Sequence, residues 1–129
     1  MRFMVRGRVA MVPLEDRMEE AYLTALRGAL SALVHERGLR GVILDFSTVT
    51  FMDGLAAGII RDTAYELSVL GAVVVPCGIG PGLAACLVDL GCTFPGLQTA
   101  MDREGALSLL AMSARRWSGL PADDEPGNA

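Results

Sequence analysis

Apolar positions along the chain change their period several times, and each change marks an element. Phe3-Met-Val5 and Val9-Ala-Met-Val12 are short apolar runs on either side of Arg6, Gly7 and Arg8. That is the pattern of a hairpin or tight strand pair, and Pro13 closes it. Over residues 16–37 the period lengthens. Met18, Tyr22, Ala25, Leu26, Ala29, Leu30 and Leu33 form one helical stripe, with Glu19, Glu20, Arg27, Ser31 and Glu36 largely opposite and Gly38 as the stop. Residues 41–46, Gly-Val-Ile-Leu-Asp-Phe, read as a short buried strand. Asp53 then caps a helix to about Leu70, with Met52, Ala56, Ile59, Ile60, Thr63, Leu67 and Leu70 as its core face and Gly71 as its end.

Residues 72–77 are apolar on both faces, as in a strand covered by helices. Pro81 starts a further helix through Leu90, stopped by Gly91. Residues 97–100 read as a weak edge strand. Asp102 caps a last helix to about Trp117, with Ala106, Leu109, Leu110, Ser113 and Trp117 turned inward. Residues 118–129, rich in Pro, Gly and acid, have nothing to bury and are expected to form a disordered tail behind a domain of residues 1–117. Strands separated by helices need crossover connections. The order therefore predicts one α/β domain with a mixed, mostly parallel sheet of four to five strands, an N-terminal strand pair and four helices.

Composition raises one challenge to this reading. The chain is 52% hydrophobic over 129 residues, with a mean hydropathy of +0.43. Residues 67–88 carry no charge, a stretch long enough to cross a bilayer. Pro76, Gly78, Gly80, Pro81 and Gly82 fall in its second half and would break a spanning helix. The stretch therefore divides into a helix end, a strand, a turn and a second helix. With no signal-peptide pattern at the N-terminus, a soluble cytoplasmic protein is expected. Cys77, Cys86 and Cys92 lie in apolar segments and read as small core residues.

Charge excludes several chemistries. All 11 basic residues are Arg, so no Lys is present for a phosphate-binding loop, a Schiff base or a kinase strand. The lone His35 reads as an exposed residue near a helix C-terminus, and the three Cys with His35 do not converge into a metal set. Net charge is −4, and Asp123, Asp124 and Glu125 carry three of those charges. Neither this balance nor the three N-terminal Arg supports nucleic-acid binding.

Two places could hold a small ligand. Asp45 ends a strand, where open α/β sheets put functional groups, yet position 47 is Ser rather than a second acid. A carboxylate bonded to nearby turn amides is the simpler account. Gly78, Gly80 and Gly82 between strand and helix suggest a nucleotide loop, but Leu83 stands where the dinucleotide fingerprint needs Gly. Asp45, Asp53 and this 78–82 loop together define the alternative reading: a nucleotide- or phosphometabolite-binding protein, or a small enzyme.

The segment Gly41-Val-Ile-Leu-Asp-Phe-Ser-Thr-Val-Thr-Phe-Met-Asp53 resembles the strand-and-loop signature of STAS domains, the sulfate-transporter and anti-sigma-factor-antagonist family. Leu70-Gly-Ala-Val-Val-Val-Pro-Cys-Gly-Ile-Gly-Pro81, Leu87-Val-Asp-Leu-Gly-Cys92 and Thr99-Ala-Met-Asp-Arg-Glu-Gly-Ala-Leu107 are similar to the RsbS-like stressosome scaffold branch. The resemblance covers about residues 3–112. It implies a single STAS-type domain with no catalysis, cofactor or metal, and with partners that include a switch Ser/Thr kinase, an anti-sigma factor or other STAS scaffold proteins. It also implies that the residue after Asp53 is the phosphoacceptor. That residue is Gly54, which has no oxygen to phosphorylate.

Three readings of Gly54 follow. The protein is locked in the unphosphorylated-like state; or Thr50 or Ser47 takes the role; or Gly54 and Gly58 let another backbone approach the helix start. The first is favoured and can coexist with the third. The partner surface expected from the resemblance is Ser47, Thr48, Thr50, Met52, Asp53, Gly54, Leu55 and Gly58. One charge, Asp89, between Leu67 and Met101 points to subunit contacts on that half.

Overall fold

The computed structural model describes residues 2–94 and 96–118, with side chains as far as residue 113. Its strands are β1 (Met4–Arg6), β2 (Val9–Pro13), β3 (Gly41–Asp45) and β4 (Val73–Cys77). The helices are α1 (Glu20–Arg37), α2 (Gly54–Val69), α3 (Pro81–Asp89) and α4 (Arg103–Ser118). The sheet runs β1-β2-β3-β4, antiparallel between β1 and β2 and parallel thereafter. This is the mixed, mostly parallel sheet with four helices that the periodicities predict. The tail expected from residue 118 onward lies, beyond Ser118, outside the described residues, as does the packing of Trp117.

Alternation along the strands divides the core into two layers. Ala10, Val12, Val42, Leu44, Phe46 and Val74 face the larger layer, under α1, α2 and α3. Ile43, Val75 and Cys77 face the other side, against Ala106 and Leu110 of α4. This two-sided burial is why residues 72–77 are apolar throughout, whereas Val69, Leu70 and Val88 in the same uncharged stretch are exposed. No helix among the described residues is long and apolar enough to cross a membrane.

Three expectations need adjustment. The buried residues of α1 are Leu23, Leu26, Leu30 and Val34, so the stripe is turned by about one residue from the one read. Ala25 is exposed, while Tyr22, Ala29 and Leu33 are half-buried at the flank. Two adjacent apolar rows compete on this helix, and packing against the sheet buries the one that includes Leu23 and Val34; residues 16–19 are loop, and α1 begins at Glu20. On α2 the core row is Ala57, Ile60, Thr63, Ala64 and Leu67, and Leu70 is 41% exposed beyond the helix end. Residues 97–100 contribute a single parallel bridge, Ala100 to Cys77, rather than a strand. Among the described residues the sheet thus has four strands.

Two glycines are fixed by geometry. A Cβ on Gly41 would lie 2.8 Å from Leu110 Cδ1, so the absence of a side chain lets α4 settle onto β3. Gly78 has φ +76°, and a Cβ there would meet the Ser47 backbone nitrogen at 3.0 Å. Gly78 thereby brings the end of β4 against the loop that follows β3.

Candidate functional site

The loops after β2 and β3 leave the carboxyl ends of neighbouring parallel strands, where open α/β sheets gather functional groups. Four side chains, those of Asp45, Asp16, Thr48 and Cys86, fix the second of these loops. Asp45, only 5% exposed, accepts from the Ser47 amide at 2.9 Å and from Arg103 Nε at 2.6 Å. Burial pushes its carboxyl up, but the Arg103 and Ser47 bonds outweigh that and hold it below the usual carboxylate range. Asp16 accepts from the Thr50 amide, the Thr50 hydroxyl and the Phe51 amide at 2.8, 2.9 and 3.3 Å. Those bonds, led by the Thr50 amide, lower its pKa. Thr48 donates to the Leu14 carbonyl, and the Cys86 thiol donates to the Met52 carbonyl.

The loop delivers the chain to the start of α2. Asp53 is the N-cap, accepting from the Ala56 amide at 2.8 Å, as read from the sequence. Gly54 is the first helical residue and is exposed. A Cβ there would touch only Leu90 Cδ2 at 3.7 Å, ordinary contact. Gly58 has only the far end of Arg61 near its Cβ position, at 3.9 Å. Both glycines thus leave the helix start open from outside. Phe51 is 63% exposed and Leu55 58% exposed beside them.

Of the expected surface residues, Ser47, Thr48, Thr50, Asp53, Gly54 and Leu55 are exposed and Gly58 is half-buried. Met52 differs: it is 6% exposed and belongs to the larger core layer. Its neighbour Phe51 takes the outer position, because the extended loop alternates its side chains between core and solvent. Sequence reasoning did not pick out Asp16, Arg103 or Phe51. Asp16 and Arg103 act across 34 to 58 residues of chain, and no local pattern marks such a pairing.

A cleft of about 380 Å³ lies between the starts of α1 and α2, lined by Arg17, Met18, Glu19, Glu20, Asp53, Leu55 and Ala56. A smaller one of about 140 Å³ adjoins it and adds Glu15 and Phe51. Arg17, which lines both, has φ +65°, a left-handed conformation rare outside glycine.

The groups of the ligand-binding alternative have structural duties here. Both Asp45 oxygens are engaged, one by the turn amide as read and one by Arg103, and Asp53 is a helix cap. Gly78 is committed to the Ser47 contact and Pro81 to the first turn of α3. Cys77 and Cys92 are buried, as core residues should be, whereas Cys86 is only half-buried, and burial pushes the Cys77 thiol up to about 11. His35 is exposed in the last turn of α1. Among the described residues, no three His, Cys, Asp or Glu side chains gather in a metal-binding arrangement.

The STAS domain profile matches residues 3–99. Among solved structures, the chain is similar to Moorella thermoacetica RsbS carrying a serine-to-glutamate substitution. The TM-score is 0.78 at 20% identity, over 88% of this chain and 97% of that one. A chain from a structure titled for the molecular architecture of the stressosome, a signal integration and transduction hub, matches with TM-score 0.75 at 20% identity, over 88% and 99%. The unphosphorylated anti-sigma factor antagonist SpoIIAA matches with TM-score 0.60 at 19% identity, over 89% and 98%. At these identities the likeness is one of fold. No curated protein matches the sequence.

Proposed function

The chain belongs to the STAS domain family, and on that premise we propose that it is a non-catalytic signalling module of the cytoplasm. It serves as an anti-sigma factor antagonist or a stressosome-type scaffold subunit. A switch Ser/Thr kinase or anti-sigma factor docks on the loop and helix start at residues 48–58, and phosphorylation at position 54 does not release it. The fold likeness to RsbS and SpoIIAA supports the signalling class.

The observation that carries the reading is the helix start itself. Gly54 is exposed and without a hydroxyl, and it sits between the apolar side chains of Phe51 and Leu55. Two of the nearby hydroxyls are poor substitutes. Thr50 already donates to Asp16 at 2.9 Å, so a phosphate there would face a carboxylate. Thr48 is spent on the Leu14 carbonyl. Self-association with a second copy or another STAS protein fits the exposed Val69, Val88 and Met101 in the charge-poor half.

Calorimetric titration with a switch kinase from the same genome tests the docking surface. Wild-type chain binds, and Leu55→Ala weakens binding about tenfold, as truncating an apolar anchor should. A kinase and an anti-sigma factor that both fail to bind, or a Leu55→Ala variant that binds like wild type, would overturn the assignment.

A further inference from the structure

At the amino edge of the sheet, opposite the loops of the candidate site, Arg6, Arg8, His35, Arg37 and Arg40 are all exposed, with Glu36 among them. The backbone fixes this grouping: the Arg8 carbonyl accepts from the Arg40 and Gly41 amides at 2.8 and 3.1 Å, and Arg37 closes α1 just before them. Near the end of α2, Glu66 is already held by Arg27 at 2.6 Å. Arg2, Arg27, Arg61 and Arg103 each meet a carboxylate, whereas Arg6, Arg8 and Arg37 make no ion pair among the described residues. Such a cluster of one sign attracts an anion.

The same edge is apolar on one face. Register pairs Met4 with Met11 and Arg6 with Val9, so these four side chains share a side of the sheet. It is the α4 side, since Val9 and Met11 pack beside Ile43 and Leu110. Helix α4 covers β3 and β4 and leaves Met4 62% exposed and Val9 and Met11 half-buried. It also aims the rest of the chain at this place. The helix starts beside Asp45 at the carboxyl end of β3, passes Gly41 at Leu110, and runs on to Ser118, about 12 Å further. Residues 119–125 then read Gly-Leu-Pro-Ala-Asp-Asp-Glu. Extended, they span at most about 25 Å, enough to turn back to the edge.

We propose that this acidic segment folds back onto the amino edge of its own molecule. Asp123, Asp124 and Glu125 supply the counter-charges of Arg6 and Arg8, and Leu120 rests beside Val9 and Met11. Charge complementarity selects the segment, which holds three acids in a row and no basic residue. Its tether to α4 keeps it at an effective concentration of about millimolar, which a second copy does not reach at ordinary protein concentrations. The contact is separate from the docking surface at residues 48–58, which lies at the other edge.

The chain has no Lys, so Arg6→Lys/Arg8→Lys in the full chain introduces amines otherwise found only at the N-terminus. Zero-length carbodiimide coupling followed by peptide mass spectrometry of the monomer then reads which carboxylates lie beside them. Arg17→Lys, at the other edge, is the control, and thermal melts check that both variants fold. Coupling to Asp123, Asp124 or Glu125 is expected to be at least about fivefold higher from positions 6 and 8 than from 17 at 50 mM salt, and to drop severalfold at 500 mM. In the otherwise wild-type chain, Asp123→Asn/Asp124→Asn/Glu125→Gln is expected to shift the Met4 and Met11 methyl resonances and leave those of Met18 and Met52 in place. Equal coupling from 6, 8 and 17, or Met4 and Met11 resonances that ignore the triple variant, would overturn the proposal. Coupling confined to covalent dimers would overturn the contact within one molecule and place the segment on a second copy.

Discussion

Asp45 shows at the level of one side chain how the site is held. Its two oxygens tie the turn after β3 to the first residue of α4, and it does so from a nearly closed position. Replacing it by Asn leaves Arg103 without its counter-charge. The expected loss is about 2 kcal/mol, moderated because Arg103 is about half exposed. The folded-state pKa of Asp45 lies below its unfolded value, so its contribution is present above the unfolded pKa and is lost as pH falls through the folded one. Urea unfolding from pH 7 down to pH 3 checks this. The gap between wild type and Asp45→Asn should narrow only on the acid side, below about pH 4.

Asp16 plays the matching part on the outer side of the loop. Asp16→Ala is expected to speed hydrogen exchange at the Thr50 and Phe51 amides about tenfold, since their acceptor is gone, with little change at the amides of β3. Equal acceleration across β3 would mean that Asp16 supports the whole fold rather than the loop.

Among the elements, the closest fit is that of α4 on β3 at Gly41. Gly41→Ala places a methyl group against Leu110 and is expected to cost about 1–3 kcal/mol. Leu110→Ala alone opens a cavity in the smaller core layer and costs about 2–4 kcal/mol. The double variant should be more stable than the sum implies, because the new methyl group occupies part of the vacated space. Additive losses in a double-mutant cycle would show that the two residues do not compete for one volume.

Element boundaries were largely legible in the sequence for a local reason. Asp53, Pro81 and the glycines after α1, α2 and α3 are start and stop signals that act over a few residues. Orientation was less legible. On α1, Tyr22, Ala25, Ala29 and Leu33 form an apolar row next to the buried Leu23, Leu26, Leu30 and Val34, and only packing against the sheet decides between two adjacent rows. In the loop, Met52 and Phe51 are similar apolar residues, and their opposite fates depend on the direction in which the chain leaves β3. The struts from Asp16 and Arg103 were illegible because their partners are distant in sequence. The family motif drew attention to this loop, and the place of Gly54 after Asp53 marks it as the first residue of α2.

For the molecule as a whole, the α/β domain holds the proposed docking surface at the carboxyl edge of the sheet, backed by two core layers and by side-chain struts from β3, α3, α4 and the β2–α1 loop. The carboxylates at the sheet edge, Asp16, Asp45 and Asp53, brace backbone turns and the start of α2. Gly54 leaves the start of α2 without a side-chain hydroxyl. Position 54 has room for a serine side chain, and its backbone lies outside the left-handed region, so the proposed phosphoacceptor can be introduced without rebuilding the fold.

Intact mass after incubation with a switch kinase and ATP measures this most directly. Wild-type chain is expected to keep its mass while remaining bound, and Gly54→Ser is expected to gain a single phosphate at the new serine and release the kinase. A phosphate on wild-type Thr50 or Ser47, or a Gly54→Ser chain that stays unmodified in a complex with active kinase, would contradict the account.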